Sequence, residues 1–229
     1  FQGNNYHLLG YGFSGDLADF DGVETAFNTL QADTVPHKLA KLRALGIAID
    51  DALLYQRAGV NIPHEELMAE LILDDERNTA HPLLSPYRAG GARSGMPYVN
   101  FFWDFFAAGQ SCHTPVAYPA LPAMVELIRA NHGIPVIAHL GANVKQGHCT
   151  VLDEMRKAGV TGVEVFSNYH APELAAQLYD YATGNGLHVT CGSDFHGRNK
   201  PAIELGDCAH PVAADRVIEA FVAAAQSAS

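Results

Sequence analysis

The sequence is short of positive charge. Its 229 residues hold 14 Lys and Arg against 25 Asp and Glu, a formal net charge of -11. Capture of nucleic-acid backbone needs a basic footprint, so a role built on long nucleic acid is excluded. A small phosphorylated substrate stays open where metal cations supply the missing charge. Cysteine is sparse as well: Cys112, Cys149, Cys191 and Cys208 form no C-x-x-C pair and no regular spacing. Free thiols in a reducing cytoplasm are the reading that follows. No apolar run reaches the ~18 residues of a membrane helix, and no signal peptide is present. G-x-G-x-x-G, Walker, G-x-S-x-G and H-E-x-x-H motifs are all missing. Ser193 lacks the elbow that serine-hydrolase chemistry requires.

What is present is a globular composition. Apolar residues make up 48% and charged residues only 17%, with 21 Gly, and the length suits one large domain. Twelve His in an acidic chain are the first pointer to metal. Phe1-Gln2-Gly3 reads as the remnant of a cleavable expression tag, which places the native sequence from near Asn4. That sequence opens at once on a strand-like run, Tyr6 to Tyr11.

The C-terminal half alternates strand and helix. Strands are expected at Ile134–Leu140, Gly162–Phe166 and His188–Gly192. Helices are expected at Val144–Gly159 and from Pro172 to the glycines at 184 and 186. Short links between such elements mark parallel βαβ units, whose strand C-termini share one edge of the sheet. Pro119–Asn131 reads as a helix feeding the first of these strands. From about 22 to 109 the pattern is mostly helical (23–30, 38–45, 51–58, 65–74 and 99–108), a helical insertion punctuated by prolines. An amphipathic helix at Ala213–Ala225 closes the chain.

Four residues share a chemical logic. His139 ends its strand, Asp194 and His196 lie just beyond theirs, and His7 lies in the opening strand. Ligands gather at strand C-termini in parallel α/β folds. In Gly192-Ser-Asp-Phe-His-Gly197 a carboxylate and an imidazole stand two apart and can face one side of an extended segment. Asp oxygen with His nitrogen suits Zn, Mn or Fe. Glu164 points either into the polar mouth or toward a backbone partner. His170 follows a strand and either touches substrate or caps the next helix. Arg198 and Lys200 are the cations best placed for a phosphate, or else belong to a solvated loop. Phe101, Phe102, Trp103, Phe105 and Phe106 read as the core of the insertion.

At Tyr6-His-Leu-Leu-Gly-Tyr11, Val136-Ile-Ala-His139, Gly162-Val-Glu-Val-Phe166 and Cys191-Gly-Ser-Asp-Phe-His-Gly197 the chain resembles the polymerase and histidinol phosphatase (PHP) family of metal-dependent phosphoesterases. It is most similar to the branch acting on nucleoside 3′,5′-bisphosphates and short 5′-phosphorylated oligonucleotides. The resemblance implies an α/β fold, a distorted (β/α)7 TIM-like barrel with divalent metals at its C-terminal face. It implies His7 and His139 on one metal, Asp194 on a second and His196 on a third, with His196 also able to protonate the leaving oxygen. His64, in Ile62-Pro-His64, resembles a segment that faces the substrate phosphate, although Ile62 stands where the family usually has Arg.

The family's opening His-x-His, Ser-Asp-Gly, Thr-Asp-His and Gly-x-Glu segments do not occur, and Leu140 follows His139 where Pro is common. The expectation is therefore an N-terminally truncated barrel with incomplete metal occupancy, completed by a second copy or by strand exchange. The alternative is a non-catalytic barrel remnant with a binding or structural role.

Overall fold

The computed structural model describes residues 1–14, 17–208 and 214–228. In chain order the elements are β1 (Leu8–Tyr11), α1 (Ala18–Ala44), α2 (Asp51–Ala58), α3 (Glu65–Asp74), α4 (Pro97–Phe101), α5 (Leu121–Ala130) and β2 (Ile134–Ile137). There follow α6 (Leu140–Asn143), α7 (His148–Lys157), β3 (Gly162–Ser167), α8 (Pro172–Gly184), β4 (His188–Gly192) and α9 (Asp215–Ala228). The expected start of the last helix at Ala213 lies outside the described residues. None of the described helices is long and apolar enough to cross a membrane.

The chain divides into two compact units. One comprises residues 1–21, 118–195 and 203–229, the other 22–117 and 196–202.

In the first unit the strands form one sheet in the order β1-β2-β3-β4. β2, β3 and β4 run parallel, as their βαβ spacing requires, whereas β1 pairs antiparallel with β2 through Leu8↔Ile137 and Tyr11↔Ile134. The expected (β/α)7 barrel is not formed. Closing a parallel barrel takes about eight strands, each bonded on both sides. Here the described residues supply four, and the long helical stretch between β1 and β2 contributes none.

The sheet is buried where its sequence is apolar. Ile137, Val163, Val165 and Val189 are sealed in one cluster with Leu152 and Met155 of α7 and Leu178 of α8. Each such side chain contributes ~1.5–3 kcal/mol through burial. Pro172 starts α8 at a position whose N–H would be unbonded in any case. Gly159, at φ +96°, ends the turn after α7 in a conformation that a Cβ would oppose. The register of β3 on β4 shifts between Glu164 and Phe166, a bulge beside the polar residue of an otherwise apolar strand.

The second unit is helical. Two helices were expected on either side of Pro36, but α1 runs through it as one helix of 27 residues. An internal Pro disfavours a helix by ~3 kcal/mol. Burial of Val35, Leu39 and Leu42 around it outweighs that penalty. Asp50 caps α2 by accepting the Leu53 N–H at 3.0 Å. The middle of α3, Leu67 to Ile72, is buried, including Met68, Ala69 and Ile72. Asn78, fully enclosed, ties the connection down: its side chain accepts the Ala48 N–H at 2.9 Å and donates to the Ala48 and Ile72 carbonyls. The aromatic segment enters through α4 and continues as a π-helical turn at Phe102–Phe106. Phe101, Phe105 and Phe106 are core, as expected, while Trp103 stands 57% exposed.

Candidate functional site at the sheet edge

The C-terminal ends of β2, β3 and β4 define one edge, and polar residues collect there. His139 follows β2 by two residues and is buried. His7 arrives from the opposite direction, immediately before β1, and its carbonyl accepts the Ala138 N–H at 3.0 Å. It reaches this edge because β1 is antiparallel, so its N-terminus meets the C-terminus of β2. The two imidazoles touch: His139 Nε2 and His7 Nδ1 are 3.0 Å apart, with ring centroids at 4.8 Å and planes at 75°. Tyr169 lies on the other flank of His139, centroid to centroid 5.4 Å, and donates its hydroxyl to Asp194 Oδ2 at 2.7 Å. Asn168 holds the same turn by donating to the Ser193 carbonyl at 2.7 Å.

Glu164 lies beneath this group, 5% exposed, and its Oε2 accepts the His139 backbone N–H at 2.7 Å. Burial pushes its carboxyl up to about 7, and the charge of Asp194 pushes the same way, against the His139 N–H. Glu164 therefore takes the backbone partner named as one of its two readings. Gly192 makes room for it. A Cβ at 192 would sit 1.9 Å from Glu164 Oε1, so that glycine serves by lacking a side chain. Gly197, at φ +56°, is the one that serves the turn.

Two residues of this edge carry backbone strain. His139, at φ +25°, and Asp194, at φ +55°, occupy the left-handed region that side chains disfavour by ~1–2 kcal/mol. Strain of this kind clusters at functional sites.

His170 faces inward. Its Nε2 accepts the Gly141 N–H at 2.9 Å and its Nδ1 pairs with the Val165 carbonyl at 2.6 Å, which fixes the neutral tautomer. Burial lowers its pKa in the same sense.

The remaining sequence candidates belong to the helical unit. His64 caps α3, its Nδ1 accepting the Leu67 N–H at 3.2 Å and lying 3.1 Å from Glu66 Oε2. One nitrogen cannot accept and donate at once, so the neutral ring caps and the protonated ring pairs with Glu66. The Glu66 hydrogen bond raises the His64 pKa. His196 is exposed. Burial acts to raise the Glu66 carboxyl, but its hydrogen bond with His64 helps to hold it low. Arg198, in the turn Gly197–Asn199, donates to Glu70 Oε2 at 2.8 Å, while Arg57 takes Glu70 Oε1 at 2.7 Å. Lys200 follows that turn, half-buried. Glu70 is buried and holds two guanidiniums. Its one sequence signal is a carboxylate inside Leu67-Met-Ala-Glu-Leu-Ile72.

The donor set at the edge suits a divalent metal by type and does not fit one by arrangement. A nitrogen–nitrogen hydrogen bond points one imidazole N–H at the other's lone pair, not both lone pairs at a shared ion. Catalytic zinc takes three protein ligands. Among the described residues no three His, Cys, Asp or Glu side chains converge to hold an ion.

No protein-family model matches this chain. No curated protein matches it in sequence. Its fold is similar to that of two solved structures. A candidate metal-dependent phosphoesterase from Bifidobacterium adolescentis superposes with a TM-score of 0.69 at 19% identity, over 96% of this chain and 72% of that one. An amidohydrolase from Chromobacterium violaceum, with bound sulfate and no metal, gives 0.71 at 20% identity, over 96% and 73%. At these identities the likeness is one of fold.

Proposed function

We propose that this chain is a phosphoester hydrolase of the metal-dependent phosphoesterase type, acting on a small nucleotide phosphate such as a nucleoside 3′,5′-bisphosphate or a short oligonucleotide. The observation that carries the reading is the coincidence at one sheet edge of His7, His139, Glu164 and Asp194 with two strained non-glycine backbones. Fold similarity to a candidate metal-dependent phosphoesterase supports it. So does similarity to an amidohydrolase that holds sulfate, a tetrahedral oxyanion like phosphate. Within the edge, the paired imidazoles offer a route for a proton, and Tyr169 fixes the orientation of Asp194.

The absence of three convergent ligands among the described residues favours a second reading, a scaffold that binds the phosphorylated ligand without turning it over. One experiment separates the two. Phosphate release from a nucleoside 3′,5′-bisphosphate is measured with added Mn²⁺, beside calorimetric titration of the same nucleotide. Turnover abolished by Asp194→Asn supports the hydrolase. Binding without turnover supports the scaffold. Neither binding nor turnover overturns both.

A further inference from the structure

We propose that Cys191 and Cys208 form a modification site, a thiol pair that a hydroperoxide closes to a disulfide. The proposal stands apart from the phosphoester reading and rests on how one sulfur is surrounded. Cys191 lies in β4, directly opposite Phe166 of β3 at the bulge. Cys208 donates its thiol to the carbonyl of that same Phe166 at 3.3 Å. Both cysteines pack against the same apolar core of the sheet-bearing unit, and Cys191 is near enough to raise the Cys208 pKa. Adjacent strands of a sheet lie about 4.8 Å apart, so a sulfur at the carbonyl of Phe166, the residue paired with Cys191, is within a short movement of the Cys191 sulfur.

Access suits a small oxidant. Both cysteines are half-buried. Cys191 is fixed in the sheet. Cys208 lies outside the sheet, in a stretch with neither helix nor strand whose Leu205 is 81% exposed. The other two cysteines sit elsewhere: Cys112 is enclosed in the core of the helical unit, and Cys149 lies on α7.

The chemistry divides between the two sulfurs. Burial and the adjoining Cys191 push the Cys208 thiol up to about 12, so Cys208 keeps its proton. The Cys191 sulfur attacks one peroxide oxygen as its own proton is lost. The O–O bond breaks, the departing hydroxide takes a proton to become water, and Cys191 is left as the sulfenic acid. The Cys208 sulfur next attacks the Cys191 sulfur. An S–S bond forms, the S–O bond breaks, and hydroxide leaves with the Cys208 proton as a second water. Two thiols lose two electrons and one peroxide gains them. The product pins the segment before Cys208 to β4, whose carboxyl neighbour is Glu164.

The test uses the full chain, reduced and then treated with hydrogen peroxide at a few equivalents. Thiols titratable after denaturation should fall from four to two. Peptide mapping without reductant should show the Cys191–Cys208 link, and the double variant Cys112→Ser/Cys149→Ser should behave the same way. Cys208→Ser should instead leave a Cys191 sulfenic acid that dimedone traps. Reduced wild type should also bind phenylarsine oxide one to one, a dithiol signature that needs no oxidation and that Cys208→Ser loses. Four thiols surviving peroxide, or a link that involves Cys112 or Cys149, would overturn the proposal.

Discussion

Replacing Glu164 by Gln removes a charge from a place where the fold resists charge. The sign follows from the direction of the shift. Burial raises the carboxyl from its ordinary 4.5 to about 7 in the folded state. Below the lower value both folded and unfolded chains hold the proton, and the group contributes nothing to stability. Between the two values the unfolded chain ionises while the folded one stays neutral, so stability falls as pH rises. Above the folded value the full penalty is in place, about 3 kcal/mol from the size of the shift. A glutamine side chain at this position would still accept the His139 N–H through its amide oxygen and cannot ionise. We therefore expect Glu164→Gln to match wild type near pH 4 and to exceed it by ~3 kcal/mol at pH 8. Urea denaturation in EDTA at both pH values, followed by far-ultraviolet dichroism, measures the difference, and other titrating groups cancel between the two proteins. Amide hydrogen exchange in β3 reports the sheet-bearing unit directly. Equal stabilities at pH 8, or a less stable variant there, would refute the argument.

Other tests address neighbouring features. Gly192→Ala should destabilise by ~1–3 kcal/mol by chemical denaturation, because the new methyl overlaps the Glu164 carboxyl. The double variant Gly192→Ala/Glu164→Ala should recover much of that loss. Since among the described residues two imidazoles meet at the edge and no third ligand joins them, zinc at tens of micromolar should leave the melting temperature within about 1 °C. A rise of several degrees, abolished in His139→Ala, would show a complete site. Glu70→Ala should free Arg57 and Arg198 together, so trypsin should cut after Arg198 faster than in wild type. An unchanged digestion rate would mean that Glu70 does not hold that turn.

How much was legible follows from where the information sat. The β2, β3 and β4 runs were readable because buried parallel strands are continuous apolar segments bounded by glycine. Their common edge followed from βαβ handedness, and with it the place of His139 and Asp194. The direction of β1 was not legible, since Leu8–Tyr11 carries no mark of its partner, and the barrel expectation failed on that strand and on the strand count. Pro36 signalled a break that tertiary burial overrode. Glu164 was visible as a carboxylate among valines, yet its buried carboxyl depends on Gly192, a residue of the next strand. The opposition of Phe166 and Cys191 arises from a register shift that periodicity does not encode. His64 was singled out by the resemblance of Ile62-Pro-His64 to a phosphate-facing segment, and its capping of α3 carried no separate signal in the sequence.

The left-handed backbone at Asp194 has a consequence for anyone improving this protein. Glycine adopts that conformation freely, and Asp194 is only half-buried, so Asp194→Gly relieves torsional strain without opening a core cavity. A library selected for heat resistance alone should drift toward glycine at this position, while one selected for turnover should keep the carboxylate. The residue at 194 in the survivors would then record which of the two properties each selection had rewarded.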